Sequence, residues 1–82
     1  MSTSAPTIPA ETAAHVIWTF GRDGGYRPGT YTQKLLELLA YADESNTAKL
    51  ATIYPAEAAA VRLAKYDETG MDQLQRIAGN VL

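Results

Sequence analysis

Apolar residues recur every three or four positions along most of this chain, and that spacing constrains the fold more than any other feature. Residues spaced in this way share one face of an α-helix, which is stabilised when that face packs against other helices. We therefore predict an all-α domain, a small helical bundle of about four helices, one or two of them short. The predicted helical segments are approximately residues 10–20, 30–43, 46–53, 55–67 and 71–80.

Segment 10–20 has a competing interpretation as a strand. Pro9 suits the first turn of a helix, and Gly21 suits the position just beyond its end. Residues 16–20 are all β-branched or aromatic, however, which is typical of a strand. A lone strand would have no partner elsewhere in the chain, so we favour the helix.

The second helix, residues 30–43, carries the strongest signals. Thr30 and Gln33 match a capping box, in which each side chain bonds the backbone N–H of the other residue. An apolar stripe follows, and we expect it to face the core. Its members are Tyr31, Leu35, Leu38, Leu39 and Ala42, widened by Leu36.

Polar residues, proline and glycine delimit the remaining segments. Asn46 is the predicted N-cap of the short third helix, and Pro55 is expected to begin the fourth. The fourth helix is rich in alanine, which lets neighbouring helices approach closely, so we predict that it lies at the centre. Gly70 is expected to separate it from the last helix, whose apolar positions are Leu74, Ile77, Ala78 and Val81.

The chain is short and contains no cysteine, which limits both its stability and its chemistry. Of its 82 residues, 1–9 are predicted to be a flexible tail and 10–82 a single helical domain. One core of this size leaves a net stability of only a few kcal/mol. Without cysteine there are no disulfides and no thiolate zinc or redox sites. Either an economical monomer or a dimer or complex that completes the core is therefore plausible.

Charge and hydropathy disfavour two classes of partner. Seven basic against nine acidic residues give a net charge of −2, and no window is densely basic, which disfavours a nucleic-acid partner. No apolar stretch approaches the length of a membrane span, and the N-terminus lacks the features of a signal peptide. We expect a cytoplasmic protein with no membrane partner.

The titratable residues do not form a recognisable catalytic or metal-binding set. His15 is the only histidine, and we interpret it as an ordinary residue of a helix surface. The pairs Asp43–Glu44 and Asp67–Glu68 lie at helix ends and lack the ligand spacing of a calcium loop. We expect no catalytic residues, no metal, no cofactor and no small-molecule substrate.

The glycine-rich loop 21–29 holds the one candidate site. It lacks the spacing and the lysine of phosphate-binding loops, so its glycines are explained by turn geometry. Arg22, Tyr26 and Arg27 lie in this loop, and Trp18 lies one turn before it. Because tryptophan, tyrosine and arginine are enriched at binding hot spots, these four residues are our candidate protein-binding surface. The alternative is that Trp18 belongs to the core and the loop charges only solvate it.

Residues 47–66 resemble a helix-turn-helix, with Ala51, Val61 and Ala64 at its small or buried positions. The departures from that motif are substantial. Proline stands where glycine is expected in the turn, and the start of the second helix offers no side chain that reads base edges. Arg62 and Lys65 are suited to phosphate contacts only.

From Gly25 onward the chain resembles a family of small proteins encoded by bacteriophages of actinobacteria. The resemblance covers about two-thirds of the chain and concerns caps, turns and core positions. It is carried by residues 25–33, Leu35, Leu36, Ala42, Asp43, Asn46, Leu50, Ala51, Tyr54, Pro55, Ala59, Ala60 and 70–74. It implies a phage protein that acts inside a bacterial host cell, and it brings no established activity or site residues.

Our first functional hypothesis is a non-enzymatic interaction module that binds a protein, either a host factor or a second copy of itself. The alternative is a small DNA-binding regulator of the helix-turn-helix type. An enzyme ranks last, because no nucleophile, base and oxyanion donor can be assembled from these residues.

Overall fold

Five α-helices and their connections make up residues 7–79, which are the residues that the computed structural model describes. The helices are α1 (Ala10–Thr19), α2 (Thr30–Tyr41), α3 (Glu44–Ala51), α4 (Pro55–Tyr66) and α5 (Gly70–Gly79). These residues include no strand, so the all-α class is confirmed, with one helix more than the approximate four. Tail residues 1–6, the predicted helix end at residue 80, and Val81 lie outside the described residues.

Helix α1 ends in a glycine cap that turns the chain back along the helix. Gly21 has a φ of +72°. Its N–H donates to the Trp18 carbonyl at 2.9 Å, and the Arg22 N–H donates to the Ile17 carbonyl at 3.1 Å. This pair of bonds is the Schellman arrangement, which satisfies the last carbonyls of a helix. The strand alternative for residues 16–20 is therefore wrong, and Gly21 ends the helix as predicted.

The start of α2 differs from the prediction. Gly29, in an extended conformation, is the N-cap and makes no side-chain cap bond, and Thr30 is already helical. The predicted capping box of Thr30 and Gln33 is therefore wrong. Pro28 is buried, Gly29 after it is the last extended residue, and the helix begins at Thr30. The Gln33 side chain instead donates to the Glu37 carboxylate at 3.1 Å.

The buried face of α2 also differs from the predicted stripe. Leu36 and Leu39 are fully buried, and Leu35 is only partly buried. Tyr31 and Leu38, both predicted to face the core, are 70% and 53% exposed. The core lies where α4 and α1 pack against α2, and that side of the helix carries Leu36 and Leu39.

Helix α3 is capped by Asp43, three residues before the predicted N-cap. The Asp43 side chain accepts a hydrogen bond from the Asn46 backbone N–H at 2.8 Å. Asn46 is therefore a residue of the first turn, and its assignment as the cap is wrong. Either side chain has the acceptor that a cap needs, and the chain already turns into the helix at Glu44.

Helix α4 contacts each of the other four helices and lies at the centre, as predicted. Its residues Ala58, Ala60 and Val61 are buried. Gly70 does not separate α4 from α5, because it is the first residue of α5 and is itself buried. A Cβ at Gly70 would overlap the Leu63 carbonyl, so glycine lets α5 begin directly on the backbone of α4.

One core joins the helices, and α1 makes its most extensive contact with α5. Its buried apolar members are Ala13, Ala14, Val16, Ile17, Leu36, Leu39, Ala58, Ala60, Val61, Leu74 and Ala78. Ile8, from the predicted tail, is partly buried and packs against this core.

Candidate interaction surfaces

The loop between α1 and α2 is seated directly on α1. A Cβ at Gly25 would overlap the carbonyl oxygen of Ala14 and lie too close to the backbone nitrogen of Trp18. Gly24, with a φ of +102°, makes the turn that brings Gly25 there. The Gln75 side-chain amide donates to the Asp23 carbonyl at 2.9 Å, which attaches the loop to α5 as well. The loop backbone is therefore held from two sides.

This seat places Arg27 over Trp18. The guanidinium carbon lies 5.9 Å from the centre of the indole ring, within the range of a cation–π interaction. Arg27 also donates through Nε to Oε1 of Gln33 at 3.3 Å. Trp18 is 37% exposed and does not belong to the buried core. Its ring and the arginine together form an exposed surface.

Tyr26 packs against His15 on the same side of α1. The two rings meet edge to face with their centres 5.1 Å apart. The His15 side chain is only 13% exposed, so its interpretation as an ordinary surface histidine is wrong. Its Nε2 lies 4.0 Å from a carboxylate oxygen of Glu11. Tyr26 itself remains half exposed.

We call Trp18, Arg22, Tyr26 and Arg27 the loop face. Trp18 and Arg27 are in contact with each other. Tyr26 directly precedes Arg27 in the chain and packs against His15. Arg22 is exposed at the start of the loop, and its backbone N–H is used in the cap of α1. The loop face therefore combines two aromatic rings with two cations on a backbone that is held in place.

A second apolar surface lies on α2 and was missed in the sequence. Tyr31, Lys34, Leu38 and Tyr41 lie along one side of the helix, and we call them the outer stripe. All four are exposed, Tyr41 to 93%. Apolar residues at helical spacing are usually core residues, which is why Tyr31 and Leu38 were assigned there. The available signal was that leucines at 35, 36, 38 and 39 exceed what one buried face holds.

The outer stripe continues into a groove between α2 and α3. This groove has a volume of about 490 Å³. Its lining residues are Leu38, Tyr41, Ala42, Asp43, Asn46, Lys49 and Leu50. An apolar side chain from another molecule would find partners here on two helices.

At its other end the outer stripe meets Tyr54, which precedes α4. The hydroxyl groups of Tyr31 and Tyr54 are hydrogen-bonded to each other. This bond, helped by partial loss of solvent, raises the pKa of Tyr54 above its ordinary value near 10, because it stabilises the neutral phenol. The stripe is thereby tied to the connection between α3 and α4.

A larger groove, with a volume of about 760 Å³, lies between α3, α4 and α5. Ile8, Leu63, Tyr66 and Ile77 are among its apolar lining residues, with Arg62 also present. Tyr66 is exposed beside it.

The two cations considered for phosphate contacts are already engaged within the domain. Arg62 forms an ion pair with Glu44 at 3.2 Å. Lys65 donates through Nζ to the Ala42 carbonyl at 2.9 Å and to the Leu39 carbonyl at 3.3 Å. These carbonyls end α2, where a cation is favoured by the helix dipole. Both side chains therefore stabilise contacts between helices.

The carboxylate pairs likewise support helix ends. Asp43 caps α3, and Asp67 accepts from the backbone N–H of Thr69 at 2.9 Å just before α5. Glu44 is the partner of Arg62. Within residues 7–79, no group of three or more histidine or carboxylate side chains is arranged to hold a metal ion.

Comparisons with protein-family models, with curated proteins and with solved structures find no match to this chain. None of the helices in the described part of the chain is both long and apolar enough to span a membrane.

Proposed function

We propose that this protein is a small non-enzymatic interaction module that binds a partner protein through the loop face. The observation that carries the proposal is the seated loop. Exposed Trp18, Tyr26 and Arg27 are of the three residue types most enriched at binding hot spots, and they lie on one short segment. Trp18 is part of α1, and Gly25 fixes the loop that carries Tyr26 and Arg27 against this helix, so little backbone freedom is lost when a partner binds.

The chemistry of the loop face favours a partner that offers carboxylates beside an apolar patch. A guanidinium group bonds a carboxylate through two parallel N–H groups, which gives both strength and orientation. Arg27 lies over an indole ring, so a partner carboxylate would meet the cation with its apolar neighbour already in place. Arg22 adds a second exposed cation to the same loop.

The setting that we propose is the cytoplasm of a bacterial host cell during phage infection. This part of the proposal is supported by the resemblance of residues 25–74 to phage proteins of actinobacteria. The partner would then be a host protein or a second copy of the chain.

A small helix-turn-helix-like DNA-binding regulator is our second hypothesis. It is supported by the packing of α3 against α4 across the short connection at residues 52–54. It ranks second because Arg62 is paired with Glu44 and Lys65 is bonded to the end of α2. Phosphate binding would have to replace these contacts.

The test is a charge reversal with a matched control. Arg27→Glu and Arg76→Glu each change the net charge from −2 to −4, and both arginines are exposed. Arg76 lies in the last turn of α5 and is not a member of the loop face. Each tagged protein would be incubated with lysate of an actinobacterial host, and retained proteins would be quantified by mass spectrometry.

We expect a host protein that is retained by the wild type and by Arg76→Glu but lost with Arg27→Glu. Retention by all three proteins would contradict binding through the loop face. Equal loss in both variants would show that overall charge, and not this surface, governs retention. Thermal melts of the three proteins verify that each is folded.

A further inference from the structure

The outer stripe of α2 is an apolar helix surface that the domain itself does not cover. Tyr31, Leu38 and Tyr41 are exposed to 70%, 53% and 93%. The buried side of α2, with Leu36 and Leu39, already packs against α4 and α1. This helix therefore carries apolar residues on two sides, of which its own domain uses one.

The charges on α2 identify what would cover the second side. Lys34 and Glu37 are the only charged residues of this helix, both are exposed, and they lie three positions apart. Lys34 belongs to the outer stripe and Glu37 flanks it, so this side of the helix is complementary in charge to its own copy turned end for end. We propose that the outer stripe binds the outer stripe of a second copy, with the two α2 helices antiparallel about a two-fold axis.

The register follows from the positions of the residues. An axis at the height of residue 36 places Tyr31 opposite Tyr41 of the second copy, since each lies five positions from it. Lys34 is then displaced from Glu37 of the second copy by one residue, about 1.5 Å along the helix. The symmetry repeats both contacts, as in any isologous dimer. A parallel pair would place Lys34 against Lys34, which like-charge repulsion disfavours.

The available area predicts a weak dimer. The exposed parts of the three apolar side chains amount to about 400 Å² per copy, or about 800 Å² for the pair, given ordinary side-chain areas. The groove beside Leu38 and Tyr41 adds Leu50 and the stem of Lys49. Interfaces smaller than about 1,200 Å² form transient complexes, so we expect a Kd on the order of 10–100 µM.

This proposal does not rest on the loop face, because no residue of the outer stripe belongs to it. The two surfaces are tested by different variants. Arg27 reaches the dimer surface only through Gln33, which bonds Glu37. Because these bonds are exposed, Arg27→Glu is expected to change the Kd less than about threefold, so a failure of either proposal is distinguishable from a failure of the other.

The experiment is sedimentation equilibrium of the full chain from about 10 µM to 1 mM, a range that brackets the expected Kd. Tyr41→Ala removes the most exposed ring from both copies, so both Tyr31–Tyr41 contacts are lost, and it is expected to raise the Kd about a hundredfold. Tyr66→Ala is the matched control, because this exposed tyrosine lies on α4 beside a different groove. It should leave the Kd unchanged.

Charge swapping tests the register. Lys34→Glu alone, and Glu37→Lys alone, place like charges together and should each raise the Kd about tenfold. The double variant restores opposite charges across the axis and should return the Kd to within about twofold of the wild type. The double variant also restores the i,i+3 pair within one helix, so equal melting temperatures in the single and double variants are needed to assign the rescue to the dimer. Thermal melts verify that the variants remain folded.

Three results would overturn the proposal. The first is a wild-type protein that stays monomeric at the highest concentration. The second is a dimer whose Kd is the same in Tyr41→Ala, or equally raised in Tyr66→Ala. The third is a double charge variant no tighter than the single ones, which would refute the antiparallel register.

Discussion

Substitution of Gly25 by alanine tests whether the loop is held on α1 by its backbone. The new methyl group would overlap the Ala14 carbonyl oxygen and crowd the Trp18 backbone nitrogen and the Ile17 Cβ. All of these atoms belong to a packed helix and cannot move aside at low cost, so either the loop must leave its seat or α1 must shift. Overpacking of this kind costs about 1–3 kcal/mol.

Displacement of the loop also weakens the contacts that follow Gly25. The edge-to-face pair of Tyr26 and His15 contributes about 0.5–1.5 kcal/mol, and the exposed cation–π contact of Arg27 about 0.5–1 kcal/mol. Alanine restricts the unfolded chain more than glycine does, which offsets about 0.4–1 kcal/mol. Partial loss of both contacts leaves a net destabilisation of about 1.5–3 kcal/mol, a large fraction of the stability of so small a domain.

Urea unfolding followed by far-ultraviolet circular dichroism measures this loss, and Trp18 fluorescence reports whether the loop has left the indole ring. Gly29→Ala is the control, since a Cβ there meets no atom within 4 Å and Gly29 has a negative φ. Alanine is a slightly poorer N-cap than glycine, which destabilises the protein, but it also restricts the unfolded chain, which stabilises it. We therefore expect the free energy of unfolding to change by less than about 0.5 kcal/mol. If Gly25→Ala unfolds at the same urea concentration as the wild type, the loop does not depend on this seat.

Two further predictions follow from α2 and its neighbour. Leu36→Ala should cost about 2–5 kcal/mol in urea unfolding because its side chain is fully buried, whereas Leu38→Ala should stay within about 0.5 kcal/mol. Equal costs would show that the helix is rotated from the orientation described. The raised pKa of Tyr54 predicts a contribution to stability that is complete below pH 10 and is lost as pH rises through the higher folded-state value. In Tyr31→Phe, an NMR titration of the Tyr54 ring should give a pKa closer to 10, and an unchanged pKa would remove the hydrogen bond as its cause.

The positions of the helices were predictable, because periodic apolar residues and helix-ending glycine or proline act locally. The orientation of α2 was not. Leu35, Leu36, Leu38 and Leu39 define two overlapping stripes, and only packing against α4 and α1 selects Leu36 and Leu39 for burial. The sequence therefore assigned Leu38 to the core and overlooked an exposed surface.

The predictions of the two helix caps were wrong for a different physical reason. Asp43 and Asn46 both offer a side-chain acceptor, and such residues differ little in their preference for the cap position. The backbone turns into α3 after Asp43, so its carboxylate accepts the Asn46 N–H. Thr30 is not the N-cap of α2, because the extended part of the chain ends at Gly29.

The grouping at the loop face was easier to anticipate, since Arg22, Tyr26 and Arg27 are near neighbours in the chain. The close contact between Gly25 and the backbone of α1 could not be predicted from the sequence. That contact depends on the path set by Gly24 and on the Gln75 bond to Asp23, which joins residues 52 positions apart.

The contact between α1 and α5 has a consequence for how the chain folds as it is made. Helix α1 leaves the ribosome before α5, against which it packs most extensively. The side of α1 that carries Val16 and Ile17 therefore cannot pack against α5 until α5 has been translated. At about 5–20 residues per second, several seconds separate the synthesis of the two helices. This core is therefore completed only once α5 has been synthesised, and a nascent chain that stalls before α5 presents an apolar helix to chaperones and proteases.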